Sequence, residues 1–297
     1  MHTLLLVLLS FLSNAKAGAT LQPSPLSDEA YAETYTAVAS LDGGAFVLVQ
    51  MLFTNAGIGD RKGACRALWV APGASGVNAS TSVGSDEWSY DAGSDTLTVG
   101  PCTLGTNGDR LRFYVKLPEL SVDLWIDGKA KSTRPPGHRV DVQGSFYFSD
   151  ILLPSGSAQA SITRSGKTTK LQGAAHLDHS RSNALLPKVS ACWLRFRGLN
   201  GATPILLQAR VPARGVTPVG WSWSTTQGSP KAAASITLGS QTVGSTTLTV
   251  DGIKVTPTSQ IYRYRPTASY GMLGKLAAPW IGDPTTTTYN AKATTPA

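Results

Sequence analysis

The sequence is poor in charged side chains: Asp, Glu, Lys and Arg make up 15% of its 297 residues. The formal net charge is +8, yet the basic residues are scattered and form neither a Lys/Arg run nor a basic helix. Nucleic-acid binding requires clustered basic residues, so we expect no nucleic-acid partner. The sequence also has no phosphate-binding glycine loop, nucleophile elbow or metal-ligand spacing. These gaps argue against the common hydrolase and nucleotide-dependent chemistries, and we expect neither a metal site nor a cofactor.

Long apolar runs are scarce as well. The run from Leu4 to Leu12 is too short for a membrane helix, which needs about 20 apolar residues. Small residues with Ala-x-Ala spacing follow it at Ala15–Ala17, a pattern typical of a secretory signal peptide. We therefore expect residues 1–17 to be removed after Ala17. The mature protein is then secreted or periplasmic and has no integral membrane segment.

Cysteine is rare, with only Cys65, Cys102 and Cys192 in the whole chain. An exported protein can keep a disulfide. Cys65 and Cys102 fall in predicted strands of the first half that we expect to be neighbours, so they are the predicted pair, with two packed free thiols as the alternative. Cys192 lies in the apolar stretch ACWLRF, which predicts a buried small hydrophobic residue.

Strand signals recur about every 8–12 residues, with Gly, Asp and Pro turns between them, and this predicts an all-β protein. The clearest hairpin joins Thr34–Leu41 to Ala45–Phe53 through Asp42-Gly43-Gly44. The chain is too long for one small barrel, so we expect two closed β-domains, at residues 28–185 and 186–290. We expect the protein to be a monomer.

The densest group of titratable side chains is His176, Asp178 and His179, within the segment Leu171–Leu199. On a strand, side chains alternate between faces, so His176 and Asp178 share one face and His179 points to the other. A carboxyl group held among apolar side chains has a raised pKa, as a general acid near neutral pH requires. The alternative is structural: an Asp beside a His can simply hydrogen-bond across a barrel seam or a domain junction.

Tryptophan and arginine supply the candidate ligand-binding residues. Trp221 and Trp223 share one strand face and, with Trp193, can line a hydrophobic cavity or simply pack in the core. Arg195 lies two residues after Trp193 on the same predicted strand. It either binds the acidic head group of a ligand or pairs with Asp178 across the domain junction.

Four stretches together resemble one superfamily: Glu33–Gly57, the pair Cys65 and Cys102, Gly173–Ser182 followed by Trp193, Arg195 and Phe196, and the C-terminal Tyr270–Lys292. The chain resembles the tandem-lipocalin superfamily, which includes survival-factor-like proteins, carotenoid 1,2-hydratases (hydroxyneurosporene synthases) and AttH-like proteins. The resemblance implies two lipocalin-like antiparallel β-barrels in tandem.

The resemblance also carries functional expectations. The hydratases have an Asp-His pair after a Gly-rich strand, with the Asp thought to protonate an isolated alkene, and that pattern falls on Asp178 and His179. Ser180 and Arg181 follow here instead of Asn and an aromatic residue, and His176 stands where an aromatic residue is usual. These departures bring the chain nearer the survival-factor branch, which is linked to oxidative stress and to sphingolipid-like ligands.

Two functional hypotheses follow. In the first, the protein is an exported carrier of a hydrophobic, lipid-like molecule, bound by Trp193, Arg195, Trp221 and Trp223. In the second, it is a cofactor-free hydratase, isomerase or cyclase acting on an isoprenoid or polyketide alkene. Asp178 is then the proton donor, oriented by His176 or His179.

Overall fold

The computed structural model describes residues 21–55, 60–213, 217–239, 246–265 and 285–295. The predicted signal peptide, residues 1–17, lies outside these ranges. So do residues 270–284 of the C-terminal stretch that contributes to the resemblance. Within the described ranges, no helix has the length and apolar character needed to cross a membrane.

The first twelve strands form one antiparallel sheet. They are β1 (Ala32–Leu41), β2 (Ala45–Thr54), β3 (Lys62–Val70), β4 (Val77–Val83), β5 (Trp88–Asp91), β6 (Thr96–Val99), β7 (Cys102–Asn107), β8 (Arg110–Lys116), β9 (Ser121–Asp127), β10 (Arg139–Val142), β11 (Ser145–Arg164) and β12 (Lys167–Ser182). A 3-10 turn at Asp42–Gly44 joins β1 to β2. The strand order is β4-β3-β2-β1-β12-β11-β9-β8-β7-β6-β5, with β10 paired to β11. Strand β3 also contacts β6 and β8, so the sheet curls into a nearly closed barrel.

Apolar side chains fill the interior of this barrel. Alternation along the strands points one face inward: β2 alternates strictly between buried and half-buried residues, as its period-two pattern predicts. Large side chains such as Tyr35, Met51, Phe53 and Phe113 are at most 1% exposed. The barrel core is therefore packed with side chains.

A disulfide joins Cys65 on β3 to Cys102 on β7. The expectation that these residues lie on adjacent strands is wrong: β2, β1, β12, β11, β9 and β8 lie between β3 and β7 in the strand order, and β4, β5 and β6 lie between them across the barrel closure. Both side chains point into the barrel and meet across its closure, with their Cα atoms 6.4 Å apart. The bond thus links the two ends of the curled sheet.

The second part of the chain forms two smaller antiparallel sheets after the short helix α1 (Leu186–Val189). The first contains β13 (Ser190–Gly198), β14 (Ile205–Pro212), β15 (Val219–Ser224) and β16 (Lys231–Ala232). The second contains β17 (Ile236–Leu238), β18 (Leu248–Val250), β19 (Ile253–Tyr264) and β20 (Thr286–Thr294). Leu207 and Ala209 of β14 pack against Leu248, Val250 and Val255 of the other sheet. The all-β, barrel-type fold class is confirmed.

Cys192 is exposed, so its predicted burial is wrong. A register shift between Ser190 and Cys192 interrupts the pairing of β13 with β14 at this point. Leu194 and Phe196, farther along the same strand, are partly buried against the core. The irregular start of the strand therefore leaves Cys192 outside the packing that covers its neighbours.

The outer face of the first sheet meets the second part of the chain through an apolar cluster. Ile151 of β11 packs with Leu199, Leu206, Trp221 and Trp223. This contact holds the outward-facing residues of β12 against β13, β14 and β15. It creates the junction where the candidate site lies.

Candidate functional site at the junction of the two β-units

Strand β12 presents its titratable residues to two different environments. His176 and Asp178 face outward to the junction, and their side chains are 3.3 Å apart. His179 points into the barrel and contacts Glu33 of β1. The predicted alternation is confirmed.

A small cavity lies beside His176 and Asp178. It is a space of about 20 Å³, room for about one water molecule. One wall comes from β11 and β12 and the other from β13, β14 and β15. Its lining residues are Ser149, Ile151, His176, Asp178, Arg195, Phe196, Arg197, Leu206, Leu207, Gln208 and Trp221.

Asp178 is the centre of the cavity's polar groups and is only 4% exposed. Its Oδ2 accepts a 2.6 Å hydrogen bond from Nη2 of Arg197 and lies 3.7 Å from Nη1 of Arg195. Its Oδ1 is buried and has no hydrogen-bond partner among the described residues. Oδ2 therefore makes all the polar contacts found for this carboxylate, and Oδ1 is buried without one.

The pKa of Asp178 is lowered, so the expected raised pKa is wrong. Burial alone raises the pKa of this carboxyl, but the hydrogen bond with His176 and the charges of Arg195 and Arg197 outweigh it. The expected rise of the pKa follows from the apolar neighbours alone. Two arginines from a strand that follows later in the chain reverse its sign, and Asp178 is ionised at neutral pH in this state.

A bulge in β11 determines the surroundings of His176. The pairing of β11 with β12 shifts register between Ile151 and Gly156, and such bulges free backbone groups from the ladder. The carbonyl oxygen of Pro154, within the bulge, lies 3.3 Å from Nδ1 of His176. Asp178 Oδ2 lies at the same distance from Nε2.

His176 thus has an acceptor at each ring nitrogen, and only the imidazolium form can donate to both. Burial nevertheless lowers the pKa of His176, and together with the charge of Arg197 it outweighs the hydrogen bond with Asp178, which acts in the opposite direction. The ring is therefore neutral at pH 7 and satisfies one of its two contacts. A proton gained in the cavity would complete both.

The two arginines reach Asp178 from β13. Arg195 donates through Nη2 to the Tyr147 hydroxyl at 2.8 Å. The side chains of Arg195 and Arg197 are 28% and 18% exposed, against 6% for that of Asp178. Solvent therefore reaches the cavity from the arginine side. The alternative in which Arg195 pairs with Asp178 agrees with these contacts, while Arg197 makes the shorter ion pair.

The structure brings some of the predicted site residues together and separates others. Trp221 lines the cavity, and Trp223 packs beside it in the apolar cluster. Trp193 stands apart from the cavity and packs against Tyr147, with ring centroids 4.7 Å apart. His179 is also absent from the lining, on the opposite side of β12.

His179 belongs to a second polar cluster, inside the barrel. Glu33 is fully buried and accepts hydrogen bonds from the Tyr31 hydroxyl at 2.8 Å and the Ser24 backbone N–H at 2.9 Å. His179 Nε2 lies 2.8 Å from its other oxygen, and Tyr35 stacks on the His179 ring. Burial alone raises the pKa of Glu33, but its hydrogen bonds, led by the one from His179, lower it overall.

Sequence reasoning assigned neither Arg197 to Asp178 nor Glu33 to His179. Arg197 lies two residues after Arg195, so strand alternation already places both on one face. Glu33 shares a strand face with Tyr35 and Ala37, which are both fully buried. A charged residue on a strand face that is otherwise apolar signals a buried polar contact. Among the described residues, no group of three or more His, Cys, Asp or Glu side chains is placed to hold a metal ion.

Comparison with known proteins finds matches among solved structures alone. No family model matches the chain, and a search of curated proteins finds no match. An AttH-like protein from Nitrosomonas europaea superimposes with a TM-score of 0.58 at 12% identity, covering 81% of this chain and 84% of that one. Kievitone hydratase from Nectria haematococca gives a TM-score of 0.54 at 14% identity, covering 85% and 87%. At these identities the likeness establishes the fold, that of lipocalin-like barrel proteins.

Proposed function

We propose that the protein is a cofactor-free enzyme that moves a proton on an unsaturated, largely apolar small molecule, in a hydration, isomerisation or cyclisation. The observation that carries the proposal is the buried carboxylate of Asp178 in the wall of the junction cavity, with one oxygen that has no partner among the described residues. A buried acceptor without a donor costs about 1–3 kcal/mol. A ligand that donates a hydrogen bond to this oxygen would remove that cost, so Asp178 is suited to bind a ligand.

The roles follow from the contacts around the cavity. Asp178 faces the substrate through Oδ1, while His176 orients the carboxylate through Oδ2. The cavity in this state holds about one water molecule, so the apolar part of the substrate must displace junction side chains such as Ile151, Leu206 and Trp221. In an isomerisation, the carboxylate accepts a proton from one carbon and returns it to another. In a hydration, water supplies the hydroxyl group and the proton that add across the double bond.

The likeness to kievitone hydratase supports this proposal over the carrier hypothesis, because a hydratase is built on the same fold. A carrier of the lipocalin kind requires room for its ligand inside a barrel. The interior of the first barrel is instead filled by side chains such as Phe53 and Phe113. Export of the protein remains part of the proposal, and the Cys65–Cys102 disulfide supports it because such bonds persist in oxidising compartments.

The test uses a library of isoprenoid and polyketide alkenes incubated with the purified protein in D₂O. Mass spectrometry should show deuterium on carbon, or addition of water, in at least one compound. We expect Asp178→Asn to lower this rate by about 10²-fold or more, as loss of an acid–base group does. Asp141→Asn is the matched control, because Asp141 also binds an arginine, Arg139, but on the exposed surface.

Two results would contradict the proposal. The first is turnover that persists in Asp178→Asn with the wild-type rate. The second is saturable binding of library members with no proton transfer to any of them, which would restore the carrier hypothesis.

A further inference from the structure

We propose that the junction cavity selects ligands with an acidic head group, whose anionic oxygen pairs with Arg195 and Arg197 while the apolar remainder extends along the junction. The head group is a carboxylate or an acidic enol, which share this chemistry. The inference rests on the proposed function for the identity of the site, but binding alone is sufficient to test it.

The charges of the side chains that line the cavity do not balance. Of the described residues that line the cavity, Arg195 and Arg197 carry positive charge and Asp178 alone carries negative charge. His176 is neutral at pH 7, because burial lowers its pKa. The cavity therefore holds one unbalanced positive charge, on side chains that are only partly exposed to water. Partly buried charges are stabilised by a partner of opposite sign, and an anionic ligand supplies one.

The two arginines have more hydrogen-bond donors than their present contacts use. Arg197 uses Nη2 on Asp178, and Arg195 uses Nη2 on Tyr147. Nη1 of Arg195 lies 3.7 Å from Asp178 Oδ2, which is too far for a hydrogen bond. A guanidinium has five N–H donors in a planar fork that suits a carboxylate. Both arginines can thus bind an oxygen of the ligand without losing their present contacts.

Binding of an anion has a consequence for Asp178. The arginine charges are among the causes that keep its pKa low. An anionic oxygen shared with the same arginines offsets that effect and adds a like charge nearby, and both changes raise the carboxyl pKa. An acidic substrate would therefore convert Asp178 from a resting carboxylate into a proton donor.

The apolar remainder of the ligand would extend along strand β12. Ala174, His176 and Asp178 lie in one row on β12, about 13 Å from end to end at the rise of a strand. Ala174 also borders a surface groove of about 380 Å³, together with Leu199 and Gly173. A Cβ atom at Gly173 would overlap the backbone oxygen of Ser40, so glycine is needed where β12 meets β1. This distance matches a chain of about ten carbons, and the packed apolar cluster that contains Trp221 must move aside for a ligand to span it.

The test compares matched ligands in calorimetric titrations at pH 8: decanoate against decan-1-ol, and geranic acid against geraniol. We expect each acid to bind at least about ten-fold more tightly than its alcohol, since a hydrogen bond between two charged groups is stronger than one to a neutral hydroxyl. Arg195→Gln should abolish the preference, and it leaves Asp178 paired with Arg197 and His176. The control Arg139→Gln removes an exposed arginine from the surface of the first barrel and should keep it.

Asp178→Asn separates this inference from the proposed function. It removes the carboxylate that competes with the ligand for the arginines, so we expect decanoate to bind several-fold more tightly while turnover is lost. Equal affinity for acid and alcohol, no saturable binding of either acid, or a preference that survives Arg195→Gln would each overturn the inference. Weaker decanoate binding by a folded Asp178→Asn protein would also overturn it. Retained turnover in that variant would overturn the proposed function instead.

Discussion

Strand β12 carries two histidines, each paired with a carboxylate, that face opposite sides of the same sheet. On the inner side, His179 and Glu33 are closed in by Tyr31, Tyr35 and the Ser24 backbone N–H, and both Glu33 oxygens have partners. On the outer side, the His176 and Asp178 pair leaves one carboxylate oxygen without a partner, beside a cavity. The chemical groups are similar, and the completeness of their hydrogen bonding differs. A satisfied pair stabilises the fold, whereas an unsatisfied pair beside space can act on a ligand.

The largest expected effect falls on the inner pair. Glu33→Ala leaves His179 and Tyr31 buried without their acceptor, so we expect a loss of about 3–5 kcal/mol in the free energy of unfolding. Asp178→Asn should cost less, about 1–3 kcal/mol, because solvent reaches the arginines that it leaves behind. Urea titrations of both variants, with the exposed Glu119→Ala as control, measure the difference. A larger loss for Asp178→Asn would reverse the assignment of structural and functional pairs.

Sequence reasoning reached this comparison only in part. Period-two alternation separates His176 and Asp178 from His179, and the regular strand spacing predicts the all-β fold. The groups that contact His176 and Asp178 are not predicted, because they come from distant segments of the chain. Arg197 arrives from a strand that begins after β12 ends, and the Pro154 carbonyl reaches His176 only because β11 bulges. The sign of the Asp178 pKa shift depends on these contacts, so local composition predicted it wrongly.

The disulfide supports the barrel that encloses the inner pair. Cys65 and Cys102 are 37 residues apart in sequence, and closing such a loop contributes about 4 kcal/mol in the chain-entropy model. We expect the double variant Cys65→Ser/Cys102→Ser to lose up to this amount, measured by urea unfolding. Thiol counting in denaturant without reductant should find one free thiol, that of Cys192. Three free thiols would show that the bond is absent from the purified protein.

The two pairs should also respond to pH in different ranges. Both His176 and Glu33 have lowered pKa values in the folded state, so each contributes stability that is present above its unfolded pKa and lost as the pH falls. The loss from His176 begins near pH 6.5, and that from Glu33 near pH 4.5. We expect His176→Gln to remove the pH dependence of stability between about pH 6.5 and 5, while Glu33→Gln alters only the more acidic range. Unfolding curves at half-unit pH steps measure both, and identical profiles for the two variants would contradict the separation.

The smallest expected effect distinguishes two tryptophans near the outer pair. Trp221 lines the junction cavity, and Trp193 packs against Tyr147 outside the lining. Replacing Trp221 with Phe removes part of the apolar wall, and a loss of about 1 kcal/mol corresponds to about five-fold weaker decanoate binding. Trp193→Phe should change the affinity by less than two-fold, although it is the same substitution and removes the same number of side-chain atoms. Calorimetric titration of both variants provides the measurement. Equal losses of affinity would mean that the ligand extends past the cavity toward Tyr147, so that Trp193 also contacts it.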